Sequence, residues 1–327
     1  MNTCATGAAN NKRVIINTMI DTLNMRMTAQ DAGDVSPLSL ERYIDVEKSG
    51  VYASTGAPYI VGHVAGYRVY ADSRQVRLSG SIAKLIQGEN VSTPTRRQVS
   101  EGVGCLSDAL HFNIGRAEVV RLDVAHTFDL PAEPAAYIGE LSSRAEMERV
   151  SIGESTLYFA SKDRALCLYD KRAEMRHRGQ EMPPAWADCQ HLLRYELRLS
   201  GSVARQIGVR ALTTQDITKP QRWAQLVNLW AGEYRSIGRT STDRITVSTT
   251  PKVAFNAIFA DLLRYAPTGY VSDIERTIKE CGRLSRMERY RLRQMIGEAL
   301  NGCRYSLINQ LDVAVERARA EAIKLSS

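Results

Sequence analysis

The sequence lacks the features that would place it in a membrane, secreted or zinc-binding class. No apolar run approaches the roughly 20 residues of a membrane-spanning helix, and no N-terminal stretch has the layout of a signal peptide. The 6 cysteines are scattered and form no Cys-x-x-Cys pair. This pattern favours reduced thiols in a cytosolic protein over a disulfide framework or a zinc site.

Motifs for nucleotide hydrolysis and for histidine-bound metal are also missing. There is no Gly-x-x-x-x-Gly-Lys-Ser/Thr phosphate loop, which argues against an ATP-driven helicase. The 5 histidines form neither a His-x-His pair nor a His-Glu-x-x-His zinc motif. His126 lies on the apolar side of a predicted strand, where a histidine is more often a satisfied core residue than a ligand.

What the chain does contain is an ordinary globular composition with an excess of positive charge. Of its 327 residues, 44% are hydrophobic and 24% are charged, and the formal net charge is +7 with an isoelectric point near 9.1. This length can bury two modest cores. The basic balance favours a polyanionic partner without identifying it.

Three segments between residues 155 and 200 alternate apolar and polar side chains as half-buried strands do, at 156–161, 164–171 and 193–199. In the second segment Tyr169 and Lys171 share one face. In the third, Glu196 lies between Arg194 and Arg198 on the face opposite the apolar residues. These residue types suggest phosphate chemistry. The alternative is a solvated sheet face with ordinary cross-strand pairs.

The first half of the chain mixes predicted strands with two longer helices. We predict strands at 20–27, 42–46, 66–71 and 117–130, a helical turn from Ser81 to Gly88, and helices at 95–112 and 134–149. Thr95 is a suitable N-cap for the first long helix, and Gly115 is expected to end it. In strand 117–130, Val120, Leu122, Val124 and Phe128 are expected on the apolar face.

This arrangement predicts an α+β fold, in which helices pack on one face of an antiparallel sheet and a mostly α-helical C-terminal region follows. The opposite face of the sheet would then carry Arg121, Asp123, Tyr169, Lys171, Glu196 and Arg198. We divide the chain into an N-terminal extension (1–18), a sheet domain (19–205) and a helical domain (206–327).

The C-terminal region has a pattern compatible with a helix-turn-helix. Pro251 is expected to begin one helix, and capping boxes at Ser272 and Ser285 predict two more at 273–281 and 286–300. Arg286, Arg289 and Arg293 fall on one flank of the last of these. The alternative is a helical bundle with a solvated basic flank. A final amphipathic helix carries Leu307, Leu311, Val315 and Ala322.

Five blocks, in order, resemble the gene II/gene X family of filamentous-phage replication initiators. They are MIDTLNMRM (19–27), SGSIAKLIQGENV (79–91), VVRLDVAHTFDL (119–130), SKDRALCLYDKRAEM (161–175) and LLRYELRL (192–199). The resemblance covers roughly residues 19–210. Proteins of this family are site- and strand-specific DNA endonucleases that start rolling-circle replication.

The resemblance implies a role for individual residues. Tyr169 would be the nucleophile that forms a 5′-phosphotyrosine and frees a 3′-OH, with Lys171 beside it. Asp123 and Glu196 would hold Mg²⁺ or Mn²⁺, although related initiators usually use a histidine pair that this sequence lacks. Residues expected to contact DNA are Lys84, Arg121, Arg194, Arg198, Arg286, Arg289 and Arg293.

The partners implied by the resemblance are the double-stranded origin of a virus or plasmid, the displaced single strand, and a host helicase and polymerase in the cytoplasm of a bacterium, with no membrane. Two other classes remain open. A DNA-binding regulator would bind a specific sequence without cutting it. A tyrosine recombinase is disfavoured, because its tyrosine lies on a helix near the C-terminus and Tyr169 lies mid-chain in a strand pattern.

Overall fold

The structure is a computed structural model that describes residues 19–28, 30–31, 37–240, 270–304 and 307–325. Its centre is a ten-stranded antiparallel sheet, in the order β2-β3-β4-β5-β1-β6-β10-β9-β8-β7. The strands are β1 (Ile20–Thr28), β2 (Asp45–Val51), β3 (Pro58–Val64), β4 (Tyr67–Asp72), β5 (Gln75–Ser79), β6 (Glu118–Asp129), β7 (Glu148–Ile152), β8 (Thr156–Ala160), β9 (Arg164–Asp170) and β10 (Leu192–Leu199).

Ten α-helices accompany the sheet in the described ranges. They are α1 (Ile82–Gln87), α2 (Arg96–Leu110), α3 (Pro134–Gly139), α4 (Lys171–His177), α5 (Val203–Gln206), α6 (Thr214–Ile217), α7 (Pro220–Arg235), α8 (Tyr270–Glu280), α9 (Arg286–Arg304) and α10 (Leu307–Lys324). None of these helices is long and apolar enough to cross a bilayer.

The main core lies between one face of the sheet and a layer of helices. Alternate residues of β6 and β10 point into this core, and among them Leu122 and Leu197 are fully buried. Helix α7 contributes Trp223 and Trp230, and α10 contributes Leu311 to the same continuous cluster. Apolar burial of this kind is the main stabilising contribution to folding.

Polar contacts also tie the last helix to this layer. Tyr234 of α7 donates a hydrogen bond to Asp312 at 2.7 Å, and Tyr137 of α3 donates one to Gln310 at 2.9 Å. Helices α7 and α10 therefore share one apolar cluster with the sheet, and the division of the chain at residue 205 stays a prediction.

The other face of the sheet is mostly polar, and within the described ranges part of it is covered by α4 and two loops. A small second apolar cluster is formed there by Val91 and Trp186 from the loops, Met175 of α4 and Leu192, the first residue of β10. Below this cover lie the polar side chains of β6, β9 and β10. We refer to this side of the sheet as the polar face.

The predicted α+β class is confirmed, with an antiparallel sheet, most helices on one face and a helical C-terminal region; α4 lies on the other face. The helical turn from Ser81 to Gly88 is also confirmed: the Ser81 side chain accepts the N–H of Lys84, and Gly88 adopts a left-handed conformation. So is the Thr95 capping box, in which Thr95 and Gln98 satisfy each other's backbone N–H groups.

Several predicted boundaries are wrong for local reasons. Helix α2 ends at Leu110 with His111 in the left-handed region, before Gly115. The predicted helix 134–149 is only the short α3, and β7 follows at the sheet edge. A register shift between β1 and β6 buries Val119 and leaves Val120 half-exposed, the reverse of simple alternation.

Corrections also apply to two shorter predictions. Residues 42–46 are not one strand, because a 3-10 helix (Pro37–Arg42) precedes β2. Lys171 is the first residue of α4 and not part of β9, because Asp170 caps that helix by accepting the N–H of Ala173.

The C-terminal helices only partly follow the capping signals. Ser285 and Glu288 form the predicted capping box at the start of α9. Helix α8 begins at Tyr270, so Ser272 lies inside it and does not cap it. The extension 1–18 and the helix predicted from Pro251 lie outside the described residues.

Candidate active site on the polar face

Strand register brings the predicted site residues together near the middle of the sheet. Strand β10 lies between β6 and β9, so its polar side chains meet those of both neighbours. Arg194 is opposite Tyr169 on β9, and Arg198 is opposite Asp123 on β6. Residues opposite each other on one face of an antiparallel pair are within side-chain reach.

The centre of the site is a hydrogen bond between Tyr169 and Glu196. The Tyr169 hydroxyl donates to Glu196 Oε1 at 2.7 Å. The same oxygen accepts from Arg194 Nε at 2.7 Å, and the second oxygen accepts from two nitrogens of Arg198 at 2.7 and 2.9 Å. The carboxylate thus joins the tyrosine to two guanidinium groups.

Burial and the neighbouring charges shift the pKa values of both Glu196 and Tyr169. Glu196 is buried, and burial alone would raise the pKa of its carboxyl, but the charges of Arg194 and Arg198 lower it to about 2. Burial, and then the negative charge of Glu196, raise the pKa of Tyr169 well above its usual value. In the free protein the pair is therefore a neutral phenol held by an ionised carboxylate.

Arg194, buried on the polar face, supports the Tyr169–Glu196 pair. Its side chain is 0% exposed, and it donates to Asp21 at 2.7 Å, to the Asn90 carbonyl at 2.6 Å and to the Thr127 hydroxyl at 3.0 Å. Asp21 also accepts from the Ser81 hydroxyl at 2.6 Å. Each nitrogen of Arg194 makes a hydrogen bond and the side chain is fully buried, so it is placed to position Glu196 rather than to reach the predicted DNA contact.

Asp21 reaches this site through an irregularity in β1. Pairing with β6 shifts register between Ile20 and Thr22, which turns Asp21 onto the polar face. Simple alternation would place it with Leu23 and Met25 in the core. The only sequence signal is a charged residue at a position where alternation expects an apolar one.

Lys171 lies next to the tyrosine, although it belongs to α4. Its ammonium is 6.0 Å from the centroid of the Tyr169 ring and donates to Asn90 Oδ1 at 3.0 Å and to Glu174 at 2.9 Å. Burial, and then the charge of Arg194, lower the pKa of Lys171. The predicted neighbourhood of Tyr169 and Lys171 is present, with Asn90 as an additional partner.

The two carboxylates predicted to hold a metal are already bonded to arginines. Arg121 donates to both oxygens of Asp123, at 2.7 and 3.0 Å, and both oxygens of Glu196 are bonded as described above. Burial raises the pKa of Asp123, which Arg121 opposes. In the described part of the chain, no group of three or more His, Cys, Asp or Glu side chains could hold an ion. This donor set does not fit a preformed Mg²⁺ site.

The remaining predicted DNA contacts lie in different places. Arg121 and Arg198 are partly exposed on the polar face, with 41% and 32% of their side chains accessible. Lys84 is exposed on α1. On α9, Arg286 and Arg293 are exposed, whereas Arg289 donates to the Leu284 carbonyl at 2.9 Å and so helps to hold the turn between the helices.

His126 lies on the opposite face, as predicted, and belongs to the core. Its ring is 4.7 Å from that of Phe128 and 6.2 Å from that of Trp230. Burial, and then the charge of Arg194, lower the pKa of His126 to about 3, so the ring is neutral.

Comparison with known proteins identifies the family of the chain. No curated protein matches the chain. The family model that describes the N-terminal part of the phage replication-associated gene II protein matches residues 19–223, a range that contains the whole polar-face site. That family points to a phage replication initiator. Because the match covers more than half of its length, the chain belongs to the family of replication-associated gene II proteins.

Proposed function

We propose that this chain starts replication by nicking one strand of origin DNA, with Tyr169 as the nucleophile. The observation that carries the proposal is the hydrogen bond from the Tyr169 hydroxyl to Glu196, with two arginines on the same carboxylate. A phenol has a pKa near 10 and is a weak nucleophile at neutral pH unless its deprotonation is assisted.

The proposed reaction is an in-line displacement at phosphorus. The Tyr169 oxygen forms a bond to the scissile phosphorus while the bond from phosphorus to the 3′ oxygen breaks. The electron pair goes to the 3′ oxygen, which takes a proton from water, and the phenolic proton passes to Glu196. The products are a 5′-phosphotyrosine and a free 3′-OH.

Arg198 is suited to couple DNA binding to this proton transfer. Its guanidinium is partly exposed, whereas that of Arg194 is fully buried. A phosphate that draws Arg198 toward itself removes a positive charge from Glu196. The pKa of the carboxyl then rises from about 2, which makes Glu196 a better base for the phenolic proton.

Lys171 lies beside the phenol, where a cation favours negative charge on the tyrosine oxygen or on a phosphate oxygen. The predicted Mg²⁺ or Mn²⁺ requirement remains a separate proposal, because arginines bond the oxygens of Asp123 and Glu196. No step of the displacement is assigned to the cation.

The phosphotyrosine keeps the energy of the broken bond, so the same site can rejoin the displaced strand into a circle without ATP. The free 3′-OH would prime a host polymerase, with a host helicase opening the duplex. The proposed setting is the cytoplasm of a bacterium, with viral or plasmid origin DNA as the partner.

The test uses supercoiled plasmids that carry overlapping segments of the genome encoding this chain. Incubation with the protein and Mg²⁺ should produce one nicked plasmid and a protein–DNA adduct that survives SDS. Specific binding to one segment with no nick or adduct in Mg²⁺ or Mn²⁺ would contradict the proposal and favour the non-catalytic DNA-binding regulator.

A further inference from the structure

The polar face carries an arginine on each of four adjacent strands, and these arginines form a diagonal that leads away from Tyr169. They are Arg198 on β10, Arg121 on β6, Arg26 on β1 and Arg77 on β5. We call this set the arginine diagonal. Only Arg198 contacts the Tyr169–Glu196 pair, so the remaining three have no part in the reaction described above.

The register sets the spacing of the diagonal. Arg198 is opposite Asp123, two residues along β6 from Arg121, and Arg121 is opposite Asn24, two residues along β1 from Arg26. Diagonal neighbours of this kind are about 7–8 Å apart. One stacked DNA strand advances about 3.4 Å per nucleotide, so each of these steps spans about two nucleotides.

The last step of the diagonal places like charges face to face. Arg26 is directly opposite Arg77 on the neighbouring strand. Like charges in this position destabilise a sheet unless an anion lies between or beside them. Arg26 is 43% exposed and bonds to the exposed Glu118, and no carboxylate is in ion-pair distance of Arg77 within the described ranges. Such exposed pairs contribute little, so a phosphate can compete with Glu118.

Aromatic rings continue the diagonal beyond β5. The Arg77 guanidinium is 5.8 Å from the centroid of the Tyr70 ring, whose hydroxyl is 2.9 Å from that of Tyr52. The rings of Tyr52 and Tyr59 are 4.7 Å apart, and Lys48 lies 5.9 Å from the Tyr59 ring. Basic side chains followed by accessible aromatic rings are the combination that binds unpaired nucleic acid, because every base has a face that can stack.

We propose that the arginine diagonal and the tyrosines Tyr52, Tyr59 and Tyr70 bind single-stranded DNA next to the cleaved phosphate. This proposal rests on the nicking function and names the strand that the site receives. An unpaired strand fits better than a duplex, because the tyrosine rings can stack only on bases that have left the double helix.

The test measures binding of fluorescent 20-nucleotide oligothymidylate by anisotropy over a range of salt concentrations. The double variant Arg26→Gln/Arg77→Gln should bind more weakly. The slope of log affinity against log salt should become shallower by about 1.4, because each single-strand phosphate contact contributes about 0.7. The matched control is Arg97→Gln/Arg317→Gln, which removes two exposed helical arginines, each paired with a glutamate four residues later. The control should keep the wild-type slope.

Two further variants keep the test decisive if the double glutamine variant fails to fold. Arg26→Lys/Arg77→Lys keeps both charges and should keep the slope. Tyr52→Ala removes an accessible ring and should weaken oligothymidylate binding on the order of tenfold. Oligonucleotides carrying 5-iodouracil should crosslink to Tyr52 or Tyr59.

The outcomes separate this proposal from the nicking function. Wild-type affinity and slope in the glutamine and alanine variants would overturn the binding assignment while leaving nicking by Tyr169 untouched. An equal loss of affinity for a 20-base-pair duplex would overturn the choice of a single strand. If Tyr169 forms no adduct yet the slope falls as expected, the nicking function fails and the binding surface stands.

Discussion

Replacement of Tyr169 by phenylalanine tests the proposed nucleophile by removing the one oxygen atom that would attack phosphorus. Tyr169→Phe keeps the ring in the sheet and removes only the oxygen that bonds to Glu196. Nicking and the SDS-resistant adduct should disappear, because no other atom of this side chain can attack phosphorus. Binding of origin DNA should survive.

The effect on folding can be estimated from the contacts. The lost hydrogen bond joins a neutral donor to a carboxylate, which contributes about 1.5–3 kcal/mol. The affected oxygen of Glu196 keeps its bond to Arg194, so a cost near the lower limit, about 1.5 kcal/mol, is expected. For a chain of this size that corresponds to a melting temperature lowered by about 2 °C.

Tyr195→Phe is the matched control. Tyr195 is a buried tyrosine of β10 that points to the other face, where its hydroxyl donates to the Trp230 carbonyl at 3.1 Å. Losing this neutral bond should cost about 1 kcal/mol, a similar destabilisation. The control should still nick, as should Tyr158→Phe on the neighbouring β8.

The assay combines thermal unfolding by circular dichroism with gel analysis of labelled origin DNA after SDS treatment. Nicking by folded Tyr169→Phe at a normal rate would refute the assignment. Loss of nicking in folded Tyr158→Phe, with Tyr169→Phe active, would transfer the role to Tyr158.

Three other predictions address the metal, the buried histidine and the C-terminal helices. Asp123→Asn and Glu196→Gln should slow nicking at every Mg²⁺ concentration, because arginines occupy these oxygens; recovery of the wild-type rate in excess Mg²⁺ or Mn²⁺ would instead place a cation there. The folded-state pKa of His126 is about 3, below its unfolded value near 6.5, so its contribution to stability is present above about pH 6.5 and is lost as the pH falls toward 3. His126→Leu should flatten this part of the stability curve measured by urea unfolding, and an unchanged slope would contradict a neutral buried ring. Arg286→Ala/Arg293→Ala should weaken duplex binding and leave cleavage of a single-stranded origin oligonucleotide intact; equal loss of both would mean that α9 only supports the fold.

The part of the site that could be predicted from the sequence is the part that depends on local alternation. A period of two puts Arg194, Glu196 and Arg198 on one face of their strand whatever its neighbours are. The contact of Glu196 with Tyr169 depends on β10 lying between β6 and β9. Pairing between distant segments is not encoded in any single stretch, so the contact between Glu196 and Tyr169 could not be predicted from the sequence alone.

Departures from regular geometry explain most of the errors. Alternation leaves Asp21 out of the predicted polar face, because the shift in β1 reverses the side to which a regular strand would turn it. Alternation also extends the strand to Lys171, although Asp170 is a suitable N-cap whose side chain starts a helix one residue later. The first error has no clear local signal, whereas weighing the cap corrects the second.

The bond between Tyr234 and Asp312 has a consequence for the order of events during synthesis, because it joins residues 78 positions apart. At about 5–20 residues per second, a ribosome needs about 4–16 s to proceed from one to the other. During that interval the surface of α7 that receives α10 stays open to solvent and to chaperones. A chain released early would lack the helix that completes this layer, and we expect such products to be cleared by proteases before they can cut DNA.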